Sequence, residues 1–203
     1  MSKKVLVLVE SQYIPSEIRD YQDVFANADV DMQLFSRLWG NRSATFVSEV
    51  EEAGRTPQTI VVSNAVERFF LPNNHPDRLE LSSYKAILMS ANYTSVRLRH
   101  WGEKPGEDDR PEDTPAVKLF ANAMEDEKIV KGALCHGLWI LCPRPDLMRG
   151  RRVICHPVVY ADIVNAGAHV DLTKTLVVDK DLVTGKSYKE ARQLAEQIVS
   201  MIV

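Results

Sequence analysis

The stretch Gly132-Ala133-Leu134-Cys135-His136-Gly137-Leu138-Trp139 decides how the rest of the chain is read. An apolar strand runs up to Cys135, and a helix over His136 to Leu141 is expected to begin at once. A side chain at such a junction sits on a tight kink at the mouth of a sheet, the position of a nucleophile elbow. Gly137 leaves room for close packing at that corner. A thiol beside a helix start meets a partial positive charge, which favours thiolate. Main-chain N–H groups there, that of His136 among them, are placed to hold an oxyanion. The same segment also fits a buried structural cysteine.

Working outward, short β-branched runs alternate with amphipathic stretches, the pattern of a mainly parallel α/β sheet. Val5–Val9 reads as a central strand, apolar on both faces. Pro15 opens a helix to about Asn27, with Ile18, Tyr21, Val24 and Phe25 on one face. Strands are expected at Asp31–Ser36, at Thr59–Val62 along an edge, and at Tyr84–Met89 in the core. A helix follows from Pro115 to about Asp126, then a strand at Ile129–Leu134. Beyond the elbow come a strand at Arg152–Cys155, a helix at Val158–Asn165 ended by Gly167, strands at Thr175–Val178 and Leu182–Thr184, and a last helix over Tyr188–Val203. The polar stretch Arg97–Thr114 reads as an insertion on the surface. The whole, residues 1–203, is read as one domain.

Composition narrows the class of function. With 203 residues, 45% of them hydrophobic, a full core is within reach. A net charge of −3, without basic clusters interleaved with aromatics, speaks against nucleic acid as a partner. No apolar run approaches the roughly 20 residues of a membrane span, and the five-residue run Val5–Val9 reads as a strand rather than a signal peptide. Cys135, Cys142 and Cys155 are odd in number and lack Cys-x-x-Cys spacing, so a disulfide framework or zinc site is not expected and a reducing cytoplasm is. No glycine-rich phosphate loop or His-Glu-x-x-His occurs, so no cofactor and no metal are expected.

Two further residues converge on the elbow. His156 ends the strand Arg152–Cys155 just before Pro157, and the carboxyl ends of parallel strands share one edge, so it could stand beside Cys135 or simply cap a helix start. Glu17 lies in the first turn after the first strand, at that same edge. It could hydrogen-bond the sulfur and tune its pKa, or serve as an ordinary acidic residue at a helix N-terminus. His136 is adjacent to Cys135, but neighbouring side chains diverge, so adjacency alone does not bring it to the thiol. Cys155 points away from His156 and reads as core, as does Cys142.

Together these residues resemble the PfpI-like (ThiJ/PfpI) family of intracellular cysteine proteases/amidases and protein deglycases, within the class I glutamine-amidotransferase-like superfamily. The resemblance runs over nearly the whole chain and is strongest in KGALCHGLW (131–139), GRRVICHPVVYADIVNAG (150–167) and VVDKDLVTG (177–185). It implies a flavodoxin-like three-layer α/β sandwich, assembled as a homodimer or higher homo-oligomer. It implies Cys135 as the elbow nucleophile and Glu17 as the carboxyl partner of its sulfur. His156 matches a histidine near the cysteine in deglycase-type members. His136 matches the histidine of protease/amidase-type members, where an acid from a neighbouring subunit completes a triad. The two assignments compete. In the family the strand before the insertion usually ends in Pro-Gly-Gly, the second glycine's amide helping to hold the oxyanion. Here Met89-Ser90-Ala91-Asn92 stands instead. The Ala91 N–H can still donate, although alanine tolerates positive φ poorly.

The function expected is that of an enzyme using Cys135 on a reactive carbonyl or amide, giving a hemithioacetal or acyl-enzyme. His156 or Glu17 would move the proton, with the Ala91 and His136 amides, beside Gly137, holding the oxyanion. Glyoxalase III-like conversion of methylglyoxal, deglycation, and amide or peptide hydrolysis all fit, so the partner is a small carbonyl compound or a peptide or protein. Two other readings stand beside it: a stress-response redox sensor or holdase, and a degenerate family member that only binds a ligand.

Overall fold

A computed structural model of the chain describes residues 3–49, 56–99 and 114–203. Its centre is a seven-stranded sheet built from β1 (Lys3–Leu8), β2 (Val30–Ser36), β5 (Asn64–Ala65), β6 (Ala86–Met89), β7 (Val130–Leu134), β10 (Leu176–Asp179) and β11 (Leu182–Gly185). The spatial order is β10-β11-β7-β6-β1-β2-β5, and every pairing is parallel except β10 with β11. Around it lie the helices α1 (Pro15–Asn27), α2 (Thr94–Leu98), α3 (Pro115–Glu125), α4 (Tyr160–Asn165) and α5 (Ala191–Ile202). Two small ribbons stand apart, β3 (Ala44–Val47) with β4 (Thr59–Val62), and β8 (Arg152–Val153) with β9 (His169–Val170).

Alternation along the strands makes the three layers. Val5, Val7 and Val9 pack with Ile18, Tyr21 and Phe25 of α1 and with Leu194 and Ile198 of α5 on one face. Leu6 and Leu8 point the other way, into a cluster with Val117 and Phe120 of α3. A central strand sandwiched between helices must be apolar at every position, which is why Val5–Val9 shows no polar alternation. Pro15 and Pro115 each occupy the first turn of their helix, where a missing N–H costs nothing. At the end of β7 away from Cys135, the buried Lys131 pairs with Asp181, which Arg151 also holds at 2.8 Å. This anchors the β10–β11 hairpin.

The flavodoxin-like three-layer sandwich expected from the sequence is the fold observed. Three expectations are corrected. Thr59–Val62 forms, but it pairs with Ala44–Val47, and the sheet edge is the two-residue Asn64–Ala65. Arg152–Cys155 is not a sheet strand: only Arg152 and Val153 pair, with β9, and the Ile154 N–H turns to the Thr184 hydroxyl at 2.9 Å. The helix after Cys135 is a 3₁₀ turn, Gly137–Leu141. The polar stretch 97–114 lies outside the described residues except for Arg97–Arg99 and Thr114.

Glycine at position 132 is a packing requirement. A Cβ there would stand 2.9 Å from Ile198 Cδ1, 3.0 Å from Leu88 Cγ and 3.2 Å from Leu194 Cδ2, between the sheet and α5. Gly132→Ala is expected to lower unfolding stability by about 1–3 kcal/mol through overpacking, read as a shift in the urea midpoint at unchanged slope.

Candidate active site

Three strand ends meet at the carboxyl edge of the sheet, each followed by a non-glycine residue with positive φ. These are Gln12 (70°) after β1, Asn92 (63°) after β6 and Cys135 (58°) after β7. Such backbone costs about 1–3 kcal/mol per residue and persists only where the surroundings enforce it. The strand order reverses between β1 and β6, so a crevice opens at the carboxyl ends of these strands.

Cys135 is clamped through its main chain. Its N–H donates to the Gly185 carbonyl at 2.9 Å, and its own carbonyl accepts the His156 N–H at 3.1 Å. Gly185 must lack a side chain, because a Cβ would fall 2.2 Å from Leu134 Cδ2. Gly137 packs under the neighbouring strand, where a Cβ would stand 3.1 Å from the Met89 carbonyl oxygen. The sulfur is buried and faces the main-chain amides of Asn92 and His136. Burial pushes the thiol up to about 11, the two amides pull it down, and the Glu17 and Glu190 carboxylates raise it further. The thiolate expected from a helix start is therefore corrected. A single five-residue 3₁₀ turn aligns few peptide dipoles, and desolvation outweighs them.

Glu17 reaches this edge from the first turn of α1 and is fully buried. Both of its oxygens accept the Ala91 N–H, at 2.9 and 3.0 Å. That bond takes the Ala91 amide away from the oxyanion role expected for it, and the amide at the sulfur is that of Asn92. The positive φ also falls on Asn92, a residue type that tolerates it, so alanine in place of glycine at 91 carries no such strain. The turn is tied down by hydroxyls and an amide: Ser90 Oγ donates to the Leu8 carbonyl, Thr94 Oγ1 to that of Ala91, and Asn92 Nδ2 to that of Gln12, each at 2.8 Å.

The two histidines meet each other. His136 Nε2 and His156 Nδ1 are 3.3 Å apart, and the Val158 N–H also points at His156 Nδ1 at 3.3 Å. An Nδ1 that accepts from Val158 carries no proton, so in this arrangement His136 Nε2 is the donor. His136 lies 5.1 Å, centroid to centroid, from both Tyr93 and Trp139. Burial, with His156 beside it, pulls its pKa down to about 4. Among the described residues neither imidazole hydrogen-bonds the sulfur, so the competition between them resolves into a pair attached to the Cys135 main chain. Cys155 is fully buried, its thiol pushed up to about 12 by burial, and Cys142 is half-buried, as their core reading requires.

Reading the sequence for nucleophiles missed Asn92, Gln12 and Tyr93. The signal for Asn92 was present: a residue that favours left-handed backbone directly after a strand ending in Ser-Ala. Among the described residues no group of three or more His, Cys, Asp or Glu side chains is arranged for a metal, and no helix is long and apolar enough to cross a membrane.

The model of the DJ-1/PfpI family matches residues 102–201. Among curated proteins, "Putative cysteine protease YraA" of Bacillus subtilis (strain 168) is 24% identical over 187 residues, 92% of this chain and 90% of its own. Drosophila melanogaster DJ-1beta superposes with a TM-score of 0.71 at 17% identity, over 100% of this chain and 91% of its own. A two-domain protein of Anabaena variabilis, with DJ-1/ThiJ/PfpI-like and ferritin-like domains, gives 0.74 at 19% identity over 98% of this chain. The chain spans about half of that protein, 48%. These structural likenesses show the fold.

The depressed His136 pKa has a consequence for acid stability. Unfolded, the imidazole takes a proton near 6.5; folded, it does so only near 4, so its contribution is present above pH 6.5 and is lost as pH falls toward 4. Between pH 7 and pH 5 this amounts to about 2 kcal/mol at 1.36 kcal/mol per pKa unit. Urea titrations at the two pH values are expected to show a smaller loss in His136→Gln than in the wild type.

Proposed function

We propose, from the premise that the chain is of the DJ-1/PfpI type, that it is a cysteine-dependent enzyme acting on a reactive carbonyl or amide through Cys135. The observation that carries this reading is a thiol held at a strained strand end, faced by the Asn92 and His136 amides, with the buried Glu17 carboxylate at the same sheet edge. A cysteine buried only for packing needs neither the strain nor the polar neighbours. The relative named "Putative cysteine protease YraA" supports the same class of chemistry.

The raised thiol pKa sets the mechanism. A protonated thiol is a weak nucleophile and needs a base. Glu17 is that base: burial is the main cause of the raised thiol pKa, and a proton that moves from sulfur to carboxylate removes a charge that adds to it. The sulfur then adds to the substrate carbon, and the former carbonyl oxygen gathers negative charge beside the Asn92 and His136 amides. With an aldehyde the adduct takes up a proton and is a hemithioacetal. With an amide it collapses to an acyl-enzyme as the amine leaves with a proton, and water releases the acid. The His136–His156 pair is the second proton-transfer group, His136 being held neutral by its burial.

Two alternatives recede. A redox sensor works through an exposed thiol, whereas this one is buried. A degenerate member is disfavoured because Asn92 supplies both the amide and the positive φ that the Ser90–Ala91 departure put at risk. The same reading places the protein in a reducing cytoplasm, where three free cysteines persist, and as a homodimer or higher homo-oligomer without cofactor.

Purified protein is expected to turn over methylglyoxal to lactate, or to hydrolyse amide or peptide substrates. Cys135→Ser should abolish turnover, and Glu17→Gln should reduce it by about 10²–10⁴-fold. Absence of wild-type activity on aldehydes, amides and peptides, or full activity in Cys135→Ser, would overturn the proposal.

A further inference from the structure

A hydroxyl in the core asks for a reason. Thr184 is the third residue of β11, fully buried in the sheet between Val183 and Gly185. It stands level with Val177 of β10 and Ala133 of β7. Valine has nearly the same shape and would suit such a place, because a buried hydroxyl costs free energy unless it is hydrogen-bonded. The Thr184 Oγ1 accepts the N–H of Ile154 at 2.9 Å. Ile154 is also fully buried and lies beyond Val153, the last paired residue of β8, so its N–H has no ladder to enter. Buried backbone donors are almost always paired, and this one depends on a side chain.

Both groups stand close to the clamp on Cys135. Thr184 precedes Gly185, whose carbonyl accepts the Cys135 N–H at 2.9 Å. Ile154 lies two residues before His156, whose N–H donates to the Cys135 carbonyl at 3.1 Å. One strand therefore holds the thiol-bearing residue through its main chain and the histidine-bearing segment through a side chain. The two histidines are not held alike. The His136 carbonyl accepts the Ser95 hydroxyl at 2.9 Å and the Trp139 N–H at 3.0 Å. His156 stands just before the 3₁₀ turn Pro157–Val159 and is reached from β8 through Ile154. Its place opposite His136, with Nδ1 3.3 Å from His136 Nε2, thus depends on the bond to Thr184. Threonine suits this task because β-branching leaves its hydroxyl few rotamers.

We propose that Thr184 is a positioning residue: its hydroxyl ties the Ile154–His156 segment to β11 and so sets where the His136–His156 pair stands against Cys135. The effect on turnover rests on the enzymatic reading of Cys135, whereas the effect on the two imidazoles does not. Without the hydroxyl the Ile154 N–H is left unpaired in the core, and the segment must move to satisfy it. His156 moves with it, while His136 stays behind on Ser95. A proton-transfer pair misplaced by about 1 Å loses roughly 10²-fold in rate. Substrate capture should change little, because Thr184 has no exposed surface.

The test compares Thr184→Val, which keeps the shape and removes the acceptor, with Thr184→Ser, which keeps the hydroxyl. With whichever of methylglyoxal, amide or peptide the wild type turns over, Thr184→Val is expected to lower kcat by about 10–100-fold with KM within about twofold. Thr184→Ser is expected to stay within about threefold of the wild type. Proton NMR of the His136 ring supplies a reading that needs no reaction. Burial and the neighbouring His156 pull the His136 pKa down to about 4. Loss of the pair is expected to raise that midpoint by about one pH unit or more in Thr184→Val, while Thr184→Ser titrates as the wild type. Circular dichroism checks folding, and Thr184→Ala, which lacks the hydroxyl and cannot clash, replaces Thr184→Val where that variant does not fold. Wild-type kcat or an unmoved His136 titration in the variant without the hydroxyl, or a Thr184→Ser protein that behaves like it, would overturn the proposal. Absence of wild-type turnover on aldehydes, amides and peptides overturns the enzymatic reading instead, and the His136 titration then decides the proposal alone.

Discussion

The main chain of Cys135 is held from both sides, by the Gly185 carbonyl on its N–H and by the His156 N–H on its carbonyl. That clamp holds a non-glycine residue in left-handed backbone at the carboxyl edge of the sheet. Much of the surroundings serves the clamp. Gly185 must be glycine because Leu134 occupies the space of its missing side chain. The β10–β11 hairpin that delivers Gly185 is pinned by the buried Lys131–Asp181 pair and by Arg151. The segment after β8 leaves the regular ladder so that Ile154 can bond Thr184 and His156 can reach Cys135.

A second constraint follows from burial. Glu17 is a carboxylate without exposure to water, and an unpaired charge in such a place is costly. The Ala91 N–H answers one part of that cost by donating to both oxygens. The Tyr21 hydroxyl and the Cys135 thiol both feel that charge, and the raised pKa of the thiol is the expected reply of an acid confined in a dry site, the carboxylate adding to the effect. Reactivity here is a property of the pair, and the oxyanion donors belong to Asn92 and His136 because Ala91 is already engaged.

The layers of the fold were legible because burial on both sides of a sheet leaves a plain trace. Val5–Val9 and Ala86–Met89 are apolar throughout, and Pro15 and Pro115 mark where helices start. Cys135, Glu17 and His156 could be brought to one edge by topology alone, since parallel strands end on the same side. What could not be read is how amides and rings are shared at that edge. Whether Ala91 or Asn92 faces the sulfur depends on which N–H the Glu17 carboxylate captures, a three-dimensional competition absent from local patterns. The pairing of His136 with His156 joins residues twenty apart through a segment that the hydrophobic pattern mistook for a sheet strand. The ribbon of Ala44–Val47 with Thr59–Val62 was missed for a related reason, because its two arms are half-exposed and too short to announce their partner.

The central claim is that burial holds the Cys135 thiol protonated in the resting protein and that the Glu17 carboxylate adds to this. The most direct measurement is the rate of Cys135 alkylation by iodoacetamide against pH, read by peptide mass in the wild type and in Glu17→Gln. The account predicts an apparent pKa near 11 in the wild type and a lower one in Glu17→Gln, where the negative charge is gone. A wild-type value at or below the unperturbed ~8.5, or an identical profile in the two proteins, would contradict it.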